Sequence, residues 1–181
     1  MGPPDGFPWR AGNRFTLLVD GASFYPAMLR AILDARRSVL FEMYLFESGQ
    51  VAEQFIAAMT AAARRGVAVR LLLDGYGALA LTRHDRRRLT EAGVNLVFYN
   101  PLRITRWLRN LVRDHRKLLI VDGRLAFVGG LGITDDFVTP RQGLPTIGGP
   151  WRETTVAIEG PVVADWVMLF ARLWRRVRQE V

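Results

Sequence analysis

Three residues that can take part in the cleavage of a phosphodiester lie close together in the sequence: His115, Lys117 and Asp122. A neutral imidazole can attack phosphorus and carry a covalent intermediate. A lysine can neutralise the non-bridging oxygens, where negative charge must be held in the transition state. Lys117 is the only lysine among 25 basic residues. In a chain that otherwise uses arginine, this choice indicates a site that needs a compact point charge.

The residues around this group predict a β-hairpin. Residues 115–121 are predicted to form a strand, 122–123 the turn and 124–128 the returning strand. Side chains two positions apart on a strand point to the same face, so His115 and Lys117 should project together. Alternation does not fix the direction of Asp122, because the chain turns there. Gly129 and Gly130 follow and would let a substrate oxyanion approach the backbone.

One such motif supplies only half of the acid–base chemistry. The leaving oxygen needs a proton from a second, protonated imidazole. His84 is the only other histidine and has no lysine two positions on, so we expect it on or before a surface helix. The partner imidazole would come from a second copy or from another lobe. Taken alone, each residue is more often an ordinary surface or strand-end side chain, so the prediction depends on their spacing.

His115, Lys117, Asp122, Gly129 and Gly130 match the phospholipase D signature, H-x-K, four residues, D, six residues, then G-[GS]. Nearly the whole chain resembles the amino-terminal catalytic lobe of bacterial cardiolipin synthases. The resemblance implies a phosphohistidine intermediate, formed without metal or other cofactor in a site built by two motifs. It also implies a phosphatidylglycerol-like substrate, because cardiolipin synthases use such lipids as donor and acceptor. Other members hydrolyse phospholipids or nucleic acids.

The resemblance extends to residues outside the signature. It implies that Glu153, at the start of the strand after a glycine-rich loop, orients the catalytic imidazole; the alternative is an ordinary strand-edge glutamate. It implies substrate-binding positions at Gly129 and Gly130. One departure is Gly132, where the family usually has a phosphate-contacting asparagine. Substrate affinity or rate is therefore expected to differ from that of the family.

Two further pairs of residues have less decisive surroundings. Glu42 and Tyr44 alternate on one predicted strand. The family has similar residues near its pocket, but structural packing would explain this pair equally well. Asp135 and Asp136 lie in a predicted loop without histidine partners. We therefore interpret them as loop-solvating or capping residues rather than as metal ligands.

The composition favours a globular chain with an anionic partner. Half of the 181 residues are apolar, and the formal net charge is +8. That charge suits phospholipid headgroups or nucleic acid, although an arginine-rich composition alone would also produce it. The absence of cysteine excludes disulfides and thiolate metal sites. No secretory signal or bilayer-length apolar run is visible, so we expect a cytoplasmic protein, peripheral at the inner face of the cell membrane.

A basic stretch at residues 100–114 leads into His115. Its arginines interleave with apolar residues: Arg103, Arg106, Arg109 and Arg113 with Leu102, Ile104, Trp107, Leu108 and Leu111. This pattern favours an interfacial membrane element, with a nucleic-acid contact or a packed helix as alternatives. The last predicted helix, 165–178, has an apolar face suited to burial or to a contact between lobes.

Alternating strand and helix patterns predict an α/β fold, with a mixed, largely parallel β-sheet flanked by helices on both faces. Strands are predicted at 14–19, 38–46, 67–73, 94–99, 115–121, 124–128 and 153–159. Helices are predicted at 22–37, 51–65, 82–92 and 165–178. Residues 1–13 are expected to be a flexible N-terminus, and 14–181 a single phospholipase D-like lobe.

The leading hypothesis is an enzyme, a phosphodiesterase or phosphatidyltransferase lobe that acts on phospholipids and works as a homodimer or with a second catalytic lobe. One alternative is a dimeric nuclease of the same superfamily, with nucleic acid as the less favoured partner. Another is a non-catalytic half-protein that binds phosphoanions. The missing second motif and Gly132 favour this last reading.

Overall fold

The computed structural model describes residues 6–102, 108–139 and 149–179. Within them, seven strands form one sheet and four α-helices pack on it. The strands are β1 (Arg14–Val19), β2 (Ser38–Met43), β3 (Ala68–Asp74), β4 (Asn95–Tyr99), β5 (Leu118–Val121), β6 (Leu125–Gly129) and β7 (Thr154–Glu159). The helices are α1 (Gly21–Asp34), α2 (Gln50–Arg64), α3 (Arg83–Glu91) and α4 (Val163–Gln179), with short 3-10 turns at Leu108–Leu111 and Asp135–Phe137.

The strand order is β1-β7-β6-β5-β2-β3-β4. Only the β2–β3 and β3–β4 pairs are parallel, and the other four pairs are antiparallel. The predicted mixed sheet is confirmed, but its parallel share is smaller than expected. Helical crossovers connect the parallel strands, whereas the second half of the chain returns through a hairpin and a loop, which favour antiparallel pairing.

Helices cover both faces of the sheet, as predicted. Helices α1, α2 and α3 contribute to the larger core on one face, which includes Phe24, Phe41 and Phe55. Helix α4 covers the other face and builds a smaller core around Phe170. Removal of these apolar side chains from water supplies the main driving force that holds the sheet in place.

The β5–β6 hairpin is present, but β5 is shorter than predicted. Its turn contains Asp122 at φ 53° and Gly123 at φ 65°, the left-handed conformations that an Asp-Gly turn adopts. The strand begins at Leu118, so His115 and Lys117 lie in the loop before it. Just ahead of them, the Asp114 amide donates a hydrogen bond to the buried Asp74 carboxylate at 2.9 Å, which diverts the chain from the ladder.

The residues before β1 pack in part against α4. Arg10 forms an ion pair with Asp165 at 2.6 Å, and Asn13 accepts a hydrogen bond from the Val162 amide. The boundary between a flexible start and the lobe remains a prediction, although these contacts tie residues 10–13 to the domain. No helix in the described part of the chain is long and apolar enough to cross a membrane.

Candidate active site

A cavity of about 410 Å³ opens at the edge of the sheet where β2 and β6 end and β5 and β7 begin. Three connecting segments therefore contribute side chains to one place: the one after β2, the one before β5 and the β6–β7 connection. The cavity is lined by Tyr44, Leu45, His115, Lys117, Gly130, Leu131, Gly132, Phe137, Trp151, Arg152 and Glu153. The structure thus brings His115, Lys117, Gly130 and Glu153 together, although 38 positions separate the first from the last.

His115 and Lys117 are in direct contact. The Lys117 Nζ lies 2.9 Å from Nδ1 of His115 and donates to the His115 carbonyl oxygen at 2.8 Å. The Tyr44 ring lies beside both residues, with its centroid 4.5 Å from that of the imidazole and 5.0 Å from Nζ. This aromatic face restricts the imidazole and favours the charged ammonium through a cation–π contact.

The surroundings of Lys117 weaken its hold on its proton. Partial burial lowers the pKa of Lys117 from its ordinary value, and the nearby charges of Asp114 and Glu153 oppose this effect only in part. The ammonium is therefore poorly solvated before substrate binds. The anionic group of a phosphodiester in the cavity would add a further counter-charge for this cation.

Glu153 reaches the cavity because Gly130 has no side chain. A Cβ at Gly130 would overlap the Glu153 carboxylate. The carboxylate Oε1 accepts a hydrogen bond from the Thr154 amide at 2.7 Å, whereas His115 Nδ1 is occupied by Lys117. The predicted Glu153–imidazole hydrogen bond is thus not formed in this arrangement, although both groups line the same cavity.

The structure does not bring Asp122 to the cavity. It lies at the far end of β5, and its carboxylate accepts hydrogen bonds from the backbone amides of Arg36, Arg37 and Ser38 at 2.7–3.0 Å. Burial acts to raise the pKa of Asp122, but these three hydrogen bonds outweigh it and hold the pKa below its usual range. In this position Asp122 fastens the hairpin turn to the α1–β2 connection, and its chemical role stays a prediction.

Comparison with known proteins now places the chain in a family. A family model described as cardiolipin synthase, PLD-like domain, matches residues 28–174. The chain belongs to this family of phospholipase D-like domains.

Curated relatives of this PLD-like domain are longer proteins. Cardiolipin synthase B of Escherichia coli K12 is 37% identical over 161 residues, which cover 87% of this chain and 37% of that protein. Probable cardiolipin synthase YwiE of Bacillus subtilis 168 is 34% identical over 170 residues, 93% of this chain and 33% of that protein. The chain therefore spans about a third of the length of these relatives.

Solved structures share the fold. The phospholipase D family member Nuc of Salmonella typhimurium aligns with a TM-score of 0.67 at 19% identity, over 91% of this chain and 95% of that chain. NucT of Helicobacter pylori aligns with a TM-score of 0.64 at 13% identity, over 91% and 97%. Both match almost their whole length to this PLD-like domain.

The two signature glycines have different environments. Gly129 ends β6 opposite Thr155, and a Cβ there would lie 2.5 Å from the Thr154 carbonyl oxygen. Its small size is therefore needed for close packing of β6 on β7, and it does not line the cavity. Gly130 does line the cavity, so of the two predicted substrate-binding glycines only Gly130 has access to a ligand there.

A buried charged cluster lies next to the loop that carries His115 and Lys117. Glu42 is fully buried, and its Oε1 lies 2.6 Å from Nε of Arg116 as an ion pair. Among the described residues, neither carboxylate oxygen of Glu42 accepts a hydrogen bond of good geometry. Burial and the neighbouring Asp114 raise the pKa of Glu42 well above its usual value, against the opposing effect of Arg116. Sequence reasoning named Glu42 but not Asp114 or Arg116, the two residues that flank His115.

Sequence reasoning also missed the aromatic and cationic wall of the cavity. Trp151 packs its ring edge-on to Phe137 at 5.5 Å, and its amide donates to the Asp136 carbonyl at 2.8 Å. Arg152 forms an ion pair with Asp20 at 2.7 Å. The signal available in the sequence was their position next to Glu153, and these contacts depend on distant segments that spacing does not predict.

Gly132, where the family usually has asparagine, also lines the cavity. Its carbonyl oxygen accepts a hydrogen bond from the buried Tyr25 hydroxyl at 2.6 Å. A Cβ at this position would lie 2.9 Å from the end of the Leu45 side chain, which can move. It would also lie 3.1 Å from Leu45 Cβ, so a larger residue requires Leu45 to shift, and the glycine leaves part of the cavity open.

Residues predicted to lie outside the site do so. His84 is exposed on α3, and the cavity lining does not include it. Asp135 caps the start of α2 by accepting hydrogen bonds from the Gln50 and Val51 amides, in agreement with the capping interpretation. Part of the basic stretch before His115, residues 103–107 and the side chains of 108–109, lies outside the described residues.

Proposed function

We propose that this PLD-like domain is a phosphodiesterase lobe that transfers phosphatidyl groups between phospholipids through a phosphohistidine at His115. The observation that carries the proposal is the convergence of His115, Lys117 and Glu153 on one cavity in a chain of this family. The names of the relatives, cardiolipin synthases, support a lipid substrate.

The first chemical step would join an imidazole nitrogen to phosphorus and break the bond to the leaving oxygen, which takes a proton from a second imidazole. In the second step, an acceptor alcohol or water attacks phosphorus and gives its proton to the second imidazole, which lost one in the first step, and the phosphorus–nitrogen bond breaks. Lys117 would move from Nδ1 to the non-bridging oxygens. Nδ1 could then donate to the Glu153 carboxylate, which would orient the ring and stabilise its charged form.

A single chain contributes one imidazole to this cavity, because His84 lies elsewhere. The proposed reaction therefore needs a second copy of the chain or a second lobe. The net charge of +8 supports attraction to an anionic lipid surface. Peripheral contact with the inner face of the cell membrane is part of this proposal.

The test is an assay on phosphatidylglycerol vesicles, with lipid products identified by mass spectrometry. The wild type should form a transfer product, or phosphatidic acid by hydrolysis. His115→Ala should lose activity at least about a hundredfold. His84→Ala is the matched control and should retain wild-type activity, because its imidazole is exposed outside the cavity.

Three results would count against the proposal. Cleavage of single-stranded DNA with no turnover of lipid would favour the nuclease alternative. Retention of activity in His115→Ala would remove the nucleophile from the account. Absence of turnover together with saturable phosphate binding would favour the phosphoanion-binding module.

A further inference from the structure

The loop before β5 sends its side chains alternately to the cavity and to the protein interior. His115 and Lys117 line the cavity, whereas Asp114 is buried and Arg116 forms its ion pair with the fully buried Glu42. Neighbouring side chains thus point to opposite sides, as they do in a strand. The interior contacts of Asp114 and Arg116 therefore also set the direction of the two cavity side chains.

Glu42 and Asp114 face one guanidinium group. Arg116 Nε lies 2.6 Å from Oε1 of Glu42 and 3.6 Å from Oδ1 of Asp114. The two carboxyl groups are also within hydrogen-bonding reach of each other. Both oxygens of Glu42 and Oδ2 of Asp114 are buried and accept no hydrogen bond from a described residue. A proton on one carboxyl group would let it donate to the other, which converts two unpartnered acceptors into a donor and an acceptor.

The charges of this cluster do not balance without a proton. It contains the buried carboxyl groups of Glu42, Asp74 and Asp114 and the guanidinium groups of Arg113 and Arg116. If every group is ionised, one negative charge is left over among side chains that are largely removed from water. Such a charge is costly, and burial together with the charge of Asp114 raises the pKa of Glu42 to about 8.

The strands and the helix packed around Glu42 face it with apolar side chains. On the adjacent strands it is paired with Leu72 of β3 and Leu118 of β5. Helix α4 covers this face of the sheet with apolar residues. From the cavity side Lys117 attracts the cluster, but the Glu153 carboxylate competes for the same cation. A proton within the cluster is therefore the most direct way to remove the excess charge.

We propose that Glu42 and Asp114 share one proton, and that this proton keeps Arg116 and the loop before β5 in place. Glu42 is thus a positioning residue, which acts on His115 through the residues on either side of it. Loss of the proton leaves two like charges in contact. The loop must then yield, because β2 is held in the sheet by strands on both sides. The effect on rate rests on the proposed function, whereas the shared proton does not.

Infrared spectroscopy can detect the proton, because a protonated carboxyl group has a carbonyl stretch that ionised carboxylates lack. The wild type should show this band at pH 7 and lose it with a midpoint of about pH 8. Glu42→Gln should lack the band. In Asp114→Asn the proton affinity of Glu42 should be at least about tenfold weaker, because the neighbouring charge is gone. Glu91→Gln, exposed on α3, is the matched control and should keep the wild-type band.

Two spectra would overturn the proposal. A wild type without the band at pH 7 would show that both carboxyl groups are ionised. An unchanged midpoint in Asp114→Asn would show that Glu42 holds its proton alone.

The rate of turnover on phosphatidylglycerol vesicles tests the positioning role. Glutamine carries its own hydrogen in place of the shared proton, so Glu42→Gln should keep kcat within about threefold at pH 7. Leucine leaves Asp114 and Arg116 without a partner, and Glu42→Leu should lower kcat at least about tenfold with a smaller change in KM. Asp165→Leu is the matched control and should keep kcat, since it removes a buried carboxylate that is paired with an arginine outside the cavity. Circular dichroism should show that both leucine variants are folded.

The ratio of kcat between wild type and Glu42→Gln isolates the titration, because the other groups of the site titrate in both proteins. The ratio should be constant below pH 7 and fall at least about fivefold by pH 9.5, since only the wild type gains the buried negative charge. A constant ratio over this range would contradict the positioning role. So would equal losses of kcat in Glu42→Leu and Asp165→Leu.

The shared proton and the chemistry can fail separately. If the band titrates as expected but the protein turns over no phosphodiester, the proposed function fails and the shared proton stands. If turnover of lipid depends on His115 but the band is absent at pH 7, the shared proton fails and the chemistry stands.

Discussion

Lys117 holds its Nζ 2.9 Å from Nδ1 of His115. A protonated lysine can only donate to that nitrogen, so a neutral ring in this arrangement carries its proton on Nε2. The cation thus occupies the nitrogen that Glu153 would need. We expect an incoming phosphate to draw Lys117 away and to release the imidazole for chemistry.

The lowered pKa of Lys117 predicts pH-dependent anion binding. Sulfate is a suitable probe because its charge is constant above neutral pH. Its affinity should fall about tenfold as the ammonium loses its proton, with a midpoint below the ordinary lysine pKa of 10.5. Lys117→Arg, which stays charged, should show little change between pH 7.5 and 10.5, and calorimetry can measure both. The same midpoint in both proteins would show that another group controls binding.

Gly130→Ala should disturb the active site without unfolding the domain. The added methyl group would displace the Glu153 carboxylate from its place in the cavity. Misplacement by about 1 Å can cost roughly a hundredfold in rate, so we expect kcat to fall by about ten- to a hundredfold. Gly132→Ala is the comparison, since its methyl group would press on Leu45 and not on Glu153. Equal rates for the two variants would exclude this role for Gly130.

Asp122→Asn should lower stability and leave the chemistry almost unchanged. Asparagine has one oxygen in place of two for the amides of Arg36, Arg37 and Ser38. For hydrogen bonds of this exposure, we expect the free energy of unfolding to fall by about 1 kcal/mol, which corresponds to a fall of roughly 2–4 °C in Tm. Asp34→Asn, exposed at the end of α1, is the control.

The pH dependence of stability tests the role of Asp122 in a second way. Because the folded pKa is depressed, the carboxylate stabilises the fold above the ordinary aspartate pKa, and this contribution is lost as pH falls through the folded value. The difference in Tm between wild type and Asp122→Asn should therefore shrink in acid. A large loss of kcat at a temperature where Asp122→Asn is folded would instead restore a direct chemical role.

Glu42→Gln should stabilise the protein progressively as pH rises above 5. The pKa of Glu42 is raised in the folded state, so the folded chain retains a proton that the unfolded chain has lost, and wild-type stability falls with rising pH. Glutamine lacks this titration. Each kcal/mol by which titration of Glu42 lowers the free energy of unfolding of the wild type should lower its Tm by about 2–4 °C. Parallel Tm–pH curves for the two proteins would show that the buried carboxyl does not titrate in this range.

The sequence was most informative where local chemistry determines conformation. The Asp122–Gly123 turn follows from residues that tolerate positive φ, and the alternating apolar patterns placed all seven strands. Pairing direction was less predictable, because periodicity shows which faces are buried but not which strands are neighbours. The shortened β5 depends on Asp74 and Asp114, which are forty positions apart and meet only in the fold.

In the candidate site, too, local spacing was informative, whereas contacts between distant segments were not predictable. The spacing of His115 and Lys117 correctly predicted that their side chains lie together, although they lie in a loop and not on the predicted strand. The place of Asp122 depends on amides of the α1–β2 connection, which no spacing within the motif reveals. Trp151 enters the cavity through its contact with Phe137, another relationship between distant segments.

The covalent intermediate is the most direct test of the account. The protein should be mixed with phosphatidylglycerol, quenched in alkali within milliseconds to seconds and digested for mass spectrometry. We predict a phosphatidyl adduct on the peptide that contains His115, absent from His115→Ala and present in His84→Ala. Turnover of lipid by the wild type with no adduct, or with an adduct on any other residue, would contradict the assignment of His115 as the nucleophile.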